Sequence, residues 1–205
     1  MKLYLASANA NKAAEFQALA AAAGRPGGAA PLEIAAASEI GGMPAVVEDA
    51  GTFAGNALKK VRALRGRLPA GGWALADDSG LCVEALGGAP GVESAYYAGP
   101  RSDPAANLAK LVEAVRGVPD GRRGAEFVCV LALLGPRGPA RLFEGRCAGR
   151  LVREPRGRGG FGYDPLFAPE GFEATLAEMP PELKNRLSHR GRAWAACAAW
   201  LAAHA

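Results

Sequence analysis

The chain contains few of the residues that build zinc centres and disulfide frameworks. It has four cysteines and two histidines in 205 residues, and its cysteines are far apart, with no C-x-x-C pair: Cys82, Cys129, Cys147 and Cys197. Structural zinc sites need clustered Cys and His ligands, and disulfide scaffolds need cysteine at higher density. The sequence therefore argues against a zinc protein and favours buried free thiols in a reducing compartment.

Long apolar runs are also missing. No stretch of 18 apolar residues occurs, and the N-terminal MKLYLASANANK turns polar too early for the apolar part of a signal peptide. Half of the residues (50%) are hydrophobic and 21% are charged, which is typical of a globular protein. We therefore expect a cytoplasmic protein with no membrane partner.

Blocks of like charge are absent as well. The net charge is +4 and the isoelectric point is about 9.0, with arginines scattered along the chain. This modest excess of positive charge favours small anionic ligands over nucleic acid as the partner.

Hydrophobic patterning predicts strands that alternate with helices early and pair directly in the middle of the chain. The predicted strands are 2–6, 32–37, 73–76, 81–86, 127–134 and 140–152. Helices are predicted with Phe16, Leu19 and Ala20 on one face, between Thr52 and Gly66, from Asp103 to Val115, as a short helix over Thr175 and Glu178 stopped by Pro180, and after Ser188. This order predicts a mixed α/β protein around a long sheet, with 1–205 as one domain.

The polar turn SANANK follows the first predicted strand and precedes the first predicted helix. It carries Ser7, Asn9 and Lys12. A hydroxyl, an amide and the N–H groups of a helix start can receive phosphate oxygens, and Lys12 adds a positive charge. Taken alone, Ser and Asn at this position are more often helix caps than ligands.

The segment EDAGTFAGNALKK places Glu48 before a helix on which Asn56 and Lys60 are four residues apart. That spacing puts both side chains on one helical face. Taken alone, such a pair usually marks a solvated surface.

Two adjacent carboxylates, Asp77 and Asp78, end the hydrophobic run of WALADDSGL at a predicted Ser-Gly turn. Neighbouring carboxylates repel each other and are costly to bury, so the pair indicates a cation. A turn or cap accounts for only one of them. Together with Glu48 they suit Mg²⁺, which takes oxygen ligands and shares them with substrate phosphates. Asp78 would then orient and deprotonate a water for attack on phosphorus.

The segments GGFGYDPLF and ELKNRLSHRGRAW combine an aromatic ring with polar groups. Phe161 lies between glycines, Asp164 offers an acceptor, and donors follow on Lys184, His189 and Arg190. This mixture suits the face and edge of a nucleobase. Taken alone, Phe161 is more often a core residue, and His189 can be a plain helix-start residue.

Six motifs occur in order across nearly the whole chain: SANANK, EDAGTFAGNALKK, ADDSGL, GGAPGVESAYYAG, GGFGYDPLF and SHRGRA. In these motifs the sequence resembles the inosine triphosphate pyrophosphatases. The resemblance implies an α/β fold, with an elongated central mixed β-sheet flanked by helices and two lobes around a nucleotide-binding cleft. It also implies a homodimer and Mg²⁺-dependent cleavage of ITP, dITP and XTP to the monophosphate and pyrophosphate, which clears deaminated purines from the nucleotide pool.

The resemblance assigns roles to individual residues. Asp78 would be the catalytic proton acceptor and, with Glu48, a metal ligand. The triphosphate would be held by Ser7, Ala8, Asn9, Ala10, Asn11, Lys12 and Lys60. Ser79 would contact the substrate, Phe161, Gly162, Tyr163 and Asp164 would stack on and bond the base, and Lys184, His189 and Arg190 would close over it.

One position departs from the family pattern. Relatives usually read S-A-R-Y where this chain has Ser94, Ala95, Tyr96 and Tyr97, so no role carries over to Tyr96.

Two other functions stay open. A Maf-type pyrophosphatase would act on modified or pyrimidine nucleotides, but FGYDP and SHRGRA argue against it. A non-catalytic nucleotide-binding or RNA-binding module would suit the basic isoelectric point, but a carboxylate cluster would repel its phosphates.

Overall fold

The fold is that of a computed structural model, which describes residues 1–22 and 32–204. The strands are β1 (Lys2–Leu5), β2 (Glu33–Ala36), β3 (Trp73–Val83), β4 (Gly124–Leu134), β5 (Arg141–Leu151) and β6 (Phe167–Pro169). The helices are α1 (Ala10–Ala22), α2 (Phe53–Arg65), α3 (Pro104–Ala114), α4 (Pro181–Leu187) and α5 (His189–His204).

The strands form a six-stranded sheet in the order β2-β1-β3-β4-β5-β6. Strand β1 pairs in parallel with both β2 and β3, whereas β5 and β6 are antiparallel. The predicted α/β class with a mixed sheet is confirmed. Parallel neighbours end at the same edge of a sheet, and Leu5 lies opposite Leu75. The turn after β1 and the aspartates of β3 therefore emerge close together.

Contacts along the chain divide it into two units. Unit one comprises Met1–Asp78, Cys129–Gly145 and Arg190–Ala205, and unit two comprises Ser79–Val128 and Arg146–His189. Each unit has a hydrophobic core of its own, with Leu3, Leu75 and Trp194 in unit one and Leu81 and Phe167 in unit two.

Local sequence accounts for the helix starts. The Thr52 hydroxyl accepts the N–H of Gly55 at 3.1 Å, which caps α2. Asp103 Oδ1 accepts the N–H of Ala105 at 2.9 Å, and Pro104 occupies the first position of α3, where a missing N–H loses no helical bond. Both predicted caps are confirmed.

The predicted apolar face of α1 is confirmed, because Phe16, Leu19 and Ala20 are all buried. The sequence also predicts Trp194, Cys197, Trp200 and Leu201 on the apolar side of the last helix, α5; Trp194, Cys197 and Leu201 are buried and Trp200 is partly buried.

Two predictions of secondary structure were wrong. The chain does not turn at Ser79: β3 continues to Val83, because Leu81 and Val83 fill the core of unit two and need an extended backbone to reach it. Thr175 and Glu178 do bond to each other, with the carboxylate accepting the Thr175 N–H at 2.8 Å. They close a single turn instead of a helix, and Pro181 begins α4 where the sequence predicted a helix to stop.

Within the described residues, no helix combines the length and the hydrophobicity that crossing a bilayer would require.

Candidate functional site

The two adjacent aspartates lie on opposite faces of the sheet. Side chains alternate along a strand, and both Asp77 and Asp78 belong to β3. As a result Asp77 meets cations of α1 and α5, whereas Asp78 meets α2. Both carboxylates are buried, at 1% and 5% exposure.

Asp77 is held by two positive charges. Its Oδ2 lies 2.8 Å from Lys12 Nζ and 3.7 Å from Arg190 Nε. Burial alone would raise the pKa of Asp77, but Lys12 and Arg190 outweigh it and hold that pKa well below its usual range. Arg190 also pairs with Glu15 at 3.0 Å. Asp77 therefore stays ionised and fixes the two cations.

Asp78 shares one ammonium group with Glu48. Lys60 Nζ lies 2.7 Å from Asp78 Oδ1 and 3.0 Å from Glu48 Oε2. Burial, assisted by the hydrogen bond to Glu48, raises the pKa of Asp78 to about 6 against the opposing charge of Lys60. Burial lowers the pKa of Lys60, but Asp77 and Asp78 raise it on balance, so the ammonium stays charged.

These contacts test whether Glu48 and Asp78 suit a divalent cation. Oxygens from two separate segments already converge on one positive charge, and carboxylate oxygens are the donors that hard cations prefer. Among the described residues there is no group of three or more acidic, His or Cys side chains that could hold a metal. Two carboxylates do not complete a coordination shell, so a cation bound by this pair would need further ligands from water or substrate.

Asn56 belongs to this cluster, although the sequence had not placed it among the site residues. It is 1% exposed, and its Nδ2 donates to Asp78 Oδ2 at 3.3 Å. Its Oδ1 accepts the N–H of Ala50 at 3.0 Å, which fixes the loop that leads from Glu48 to α2. The four-residue spacing of Asn56 and Lys60 was the available signal, but it could not show that this helical face is buried.

The turn after β1 caps α1. Asn9 Oδ1 accepts the N–H groups of Asn11 at 3.0 Å and Lys12 at 3.2 Å, and the Ser7 hydroxyl accepts the N–H of Asn9 at 3.1 Å. Ala8 and Ala10 are exposed in the same turn. The positive end of the α1 dipole thus lies at an exposed turn beside Lys12, and its role toward phosphate stays a prediction.

Unit two brings Phe161, Asp164 and Lys184 together. Asp164 is 4% exposed, and its Oδ2 accepts the Phe161 N–H and Lys184 Nζ, both at 2.8 Å. Lys184 Nζ also lies 5.3 Å from the centre of the Phe161 ring. Gly160 has a φ of +68°, and a Cβ there would collide with the Asp164 carboxylate. The glycine is therefore required for this arrangement.

Tyr163 and His189 are buried side chains of the same unit. The Tyr163 hydroxyl donates to the carbonyl of Ser94 at 2.8 Å, and burial raises the pKa of this phenol, which keeps it a donor. His189 stacks on Phe127, with ring centres 4.6 Å apart and planes at 7°. Ser79 is half-buried on β3.

The sequence grouped Arg190 with Lys184 and His189. In the structure, Arg190 contacts the carboxylates of Asp77 and Glu15, and its predicted contact with the substrate stays a prediction.

The chain is similar to known proteins along its whole length. A family model described as the Ham1 family matches residues 3–200. A dITP/XTP pyrophosphatase of Opitutus terrae is 60% identical over 200 residues, covering 98% of each chain. A dITP/XTP pyrophosphatase of Leifsonia xyli subsp. xyli is 47% identical, covering 96% of this chain and 93% of that protein. Among solved structures, the Staphylococcus aureus Ham1 protein matches with a TM-score of 0.83, at 32% identity and 100% coverage of both chains.

Proposed function

The chain belongs to the Ham1 family, and from that membership we propose that it hydrolyses ITP, dITP and XTP to the monophosphate and pyrophosphate. The predicted family membership is confirmed, and so is the enzyme class, a nucleoside-triphosphate pyrophosphatase. One structural observation supports the proposal from this chain's own residues: Glu48 and Asp78 converge on Lys60, and triphosphate chemistry needs both acidic groups and a cation.

We propose that the residues around Lys60 and the turn after β1 provide the phosphate chemistry. Lys12, Lys60 and the exposed turn at Ser7 would bind phosphate oxygens, while Glu48 and Asp78 would hold Mg²⁺. When bound, Mg²⁺ supplies positive charge to the phosphates and makes a water easier to deprotonate. Asp78 accepts the proton of the attacking water, a task suited to a carboxylate whose pKa is raised to about 6. Lys60 exchanges its carboxylate contacts for phosphate as the substrate enters.

Phe161 and Lys184 would recognise the base. Phe161 offers a ring for stacking, and Lys184 offers donors next to it. A donor aimed at position 6 of the purine is satisfied by the carbonyl of hypoxanthine or xanthine and left unpaired by the amino group of adenine. An unpaired buried donor costs about 1–3 kcal/mol, so two or three such mismatches reject ATP strongly.

Lys184→Ala is expected to raise the KM for ITP about tenfold or more, because a charged donor contributes roughly 1.5–3 kcal/mol to a hydrogen bond. The matched control is Arg186→Ala, an exposed cation on the same helix, which should leave KM unchanged. Steady-state kinetics on ITP check both variants. A KM equal to that of the wild type in Lys184→Ala would remove Lys184 from the base site.

The dependence of kcat/KM on pH should follow the ionisation of the Asp78 carboxylate. Because the acceptor must be ionised, kcat/KM for ITP is expected to fall about tenfold per pH unit below a pH near 6. A metal bound to Asp78 competes with the proton, so raising Mg²⁺ from a limiting to a saturating concentration should shift this decline to lower pH. Profiles measured at the two concentrations check this, and curves that coincide would contradict metal binding at Asp78.

A nucleotide panel tests the function as a whole. ITP, XTP, dTTP, GTP and ATP are each incubated with Mg²⁺ and with chelator, and the product is identified as pyrophosphate or phosphate. Mg²⁺-dependent pyrophosphate from ITP and XTP, with little from ATP or GTP, is the expected result. Cleavage of dTTP instead would indicate a Maf-type enzyme, and tight binding without turnover would indicate a binding module.

We also propose that the chain is a cytoplasmic homodimer that binds no nucleic acid, in keeping with its family. One chain has a mass of 21.0 kDa. Sedimentation equilibrium of the purified protein is expected to give twice that mass.

A further inference from the structure

A buried serine in unit two joins three segments of the chain. Ser94 is 7% exposed, and its hydroxyl accepts the N–H of Leu81 at 2.9 Å while donating to the carbonyl of Gly91 at 2.6 Å. Leu81 lies on β3 only two residues beyond Ser79. The serine side chain therefore fixes the segment that begins at Gly91 against this part of β3.

The carbonyl oxygen of Ser94 makes the other connections. It accepts the Tyr163 hydroxyl at 2.8 Å and the Asn107 amide at 3.4 Å. Asn107 is 4% exposed and lies on α3. Its side chain also donates to the Ala95 carbonyl at 2.9 Å and accepts the N–H of Ala98 at 2.6 Å. One asparagine thus holds the backbone of residues 94–98 at three points.

The hydrogen bond from Tyr163 to Ser94 matters because two glycines give the backbone of residues 160–164 conformational freedom. Gly160 and Gly162, which flank Phe161, have φ values of +68° and +62°, a region that glycine adopts far more readily than other residues. Asp164 fixes the backbone at Phe161. The Tyr163 hydroxyl ties the same segment to a separate part of the fold.

We propose that Ser94, Asn107 and Tyr163 form a positioning network that sets the discrimination between purine bases, an inference that rests on the proposed base-binding role of Phe161–Asp164. Ser94 and Asn107 act through Tyr163, whose hydroxyl holds the segment that also carries Phe161 and Asp164. A small displacement of the base changes which of its edge atoms meet a donor, and a misplacement of about 1 Å can cost roughly 10²-fold in rate. Loss of the network therefore lowers kcat/KM for ITP more than for ATP, because only the base of ITP is held in a position that matches the donors of the site.

The test uses Tyr163→Phe and Asn107→Leu, each close in size to the original side chain, together with the double variant. For each, kcat, KM and the melting temperature are measured, with ITP and ATP as substrates. Tyr163→Phe is expected to lower the ratio of kcat/KM for ITP over ATP about tenfold, the order expected from one buried hydrogen bond. Asn107→Leu is expected to lower it at least as much, because it removes three hydrogen bonds. In each single variant one donor to the Ser94 carbonyl remains. The double variant removes both donors, and its loss should exceed the product of the single losses.

Leu108→Ala is the control for general destabilisation, since Leu108 is an apolar residue of α3 packed on the core of unit two. It is expected to lower the melting temperature and keep the ITP/ATP ratio. An equal loss of selectivity in Leu108→Ala, or unchanged selectivity in both network variants, would overturn the network while the proposed function stands. A wild-type chain with no preference for ITP would overturn the proposed function and this inference with it.

Discussion

Asp78→Asn is expected to lower kcat for ITP by roughly 10²- to 10⁴-fold, the contribution of a general base. Asparagine has the shape of the aspartate and still offers an oxygen to Lys60, which lies 2.7 Å away in the wild type, but it cannot take a proton from water. Removing a negative charge beside the triphosphate also lowers repulsion. ITP binding should therefore persist while turnover is lost.

Single-turnover kinetics and calorimetric titration with ITP measure the two effects separately. Asp103→Asn is the matched control, because Asp103 caps α3 and asparagine caps helices equally well. The control should keep the activity of the wild type. An Asp78→Asn protein with kcat within a few-fold of the wild type would show that another group accepts the proton.

Asp77→Asn is expected to lower the stability of the fold more than any other substitution at this site. Asp77 is 1% exposed, and it neutralises Lys12 and Arg190. Removing one partner of a buried ion pair costs about 3–5 kcal/mol, because the remaining charge stays buried. For a chain of this size a loss of 3 kcal/mol lowers the melting temperature by roughly 6–12 °C.

Urea unfolding of wild type and variant measures this loss. Asp49→Asn is the control, since Asp49 pairs with Lys59 on the exposed surface, where ion pairs contribute only about 0–1 kcal/mol. Equal effects of the two substitutions would mean that Asp77 is not a structural counter-ion.

Acidification provides a second check on the same residue. The pKa of Asp77 is lowered by folding, so its contribution to stability is present above its unfolded pKa, about 4, and is lost as the pH falls below that value. The pKa of Asp78 is raised to about 6, so its effect is opposite: between pH 6 and 4 its protonation favours the folded state. Asp77→Asn should therefore flatten the stability profile below pH 4, and an unchanged slope there would contradict the ion pair.

Local sequence was enough for much of the fold. Thr52 and Asp103 predicted helix starts because Thr and Asp are favoured at the position whose side-chain oxygen accepts a free N–H of the first helical turn, and both bonds form in the structure. The adjacent pair Asp77 and Asp78 predicted positive charge close by, because burying two neighbouring carboxylates is costly without it, and Lys12, Arg190 and Lys60 supply that charge. The predicted Mg²⁺ site stays a prediction.

The local sequence could not predict the structure of segments that depend on residues far along the chain. Strand β3 continues past Ser79 because the core of unit two receives Leu81 and Val83, and no short-range pattern records that core. Thr175 and Glu178 carry the pattern of a helix start, yet they close a single turn before α4.

The sequence by itself determined which chemical groups this protein has and where α2 and α3 begin, because motif spacing and capping are local properties. Only the tertiary structure decided the partners of those groups: Lys60 between Glu48 and Asp78, Arg190 on Asp77, and Tyr163 on the carbonyl of Ser94. Pairings across 12 to 113 residues of chain follow from strand alternation and core packing, since which face a side chain occupies is set by the sheet as a whole.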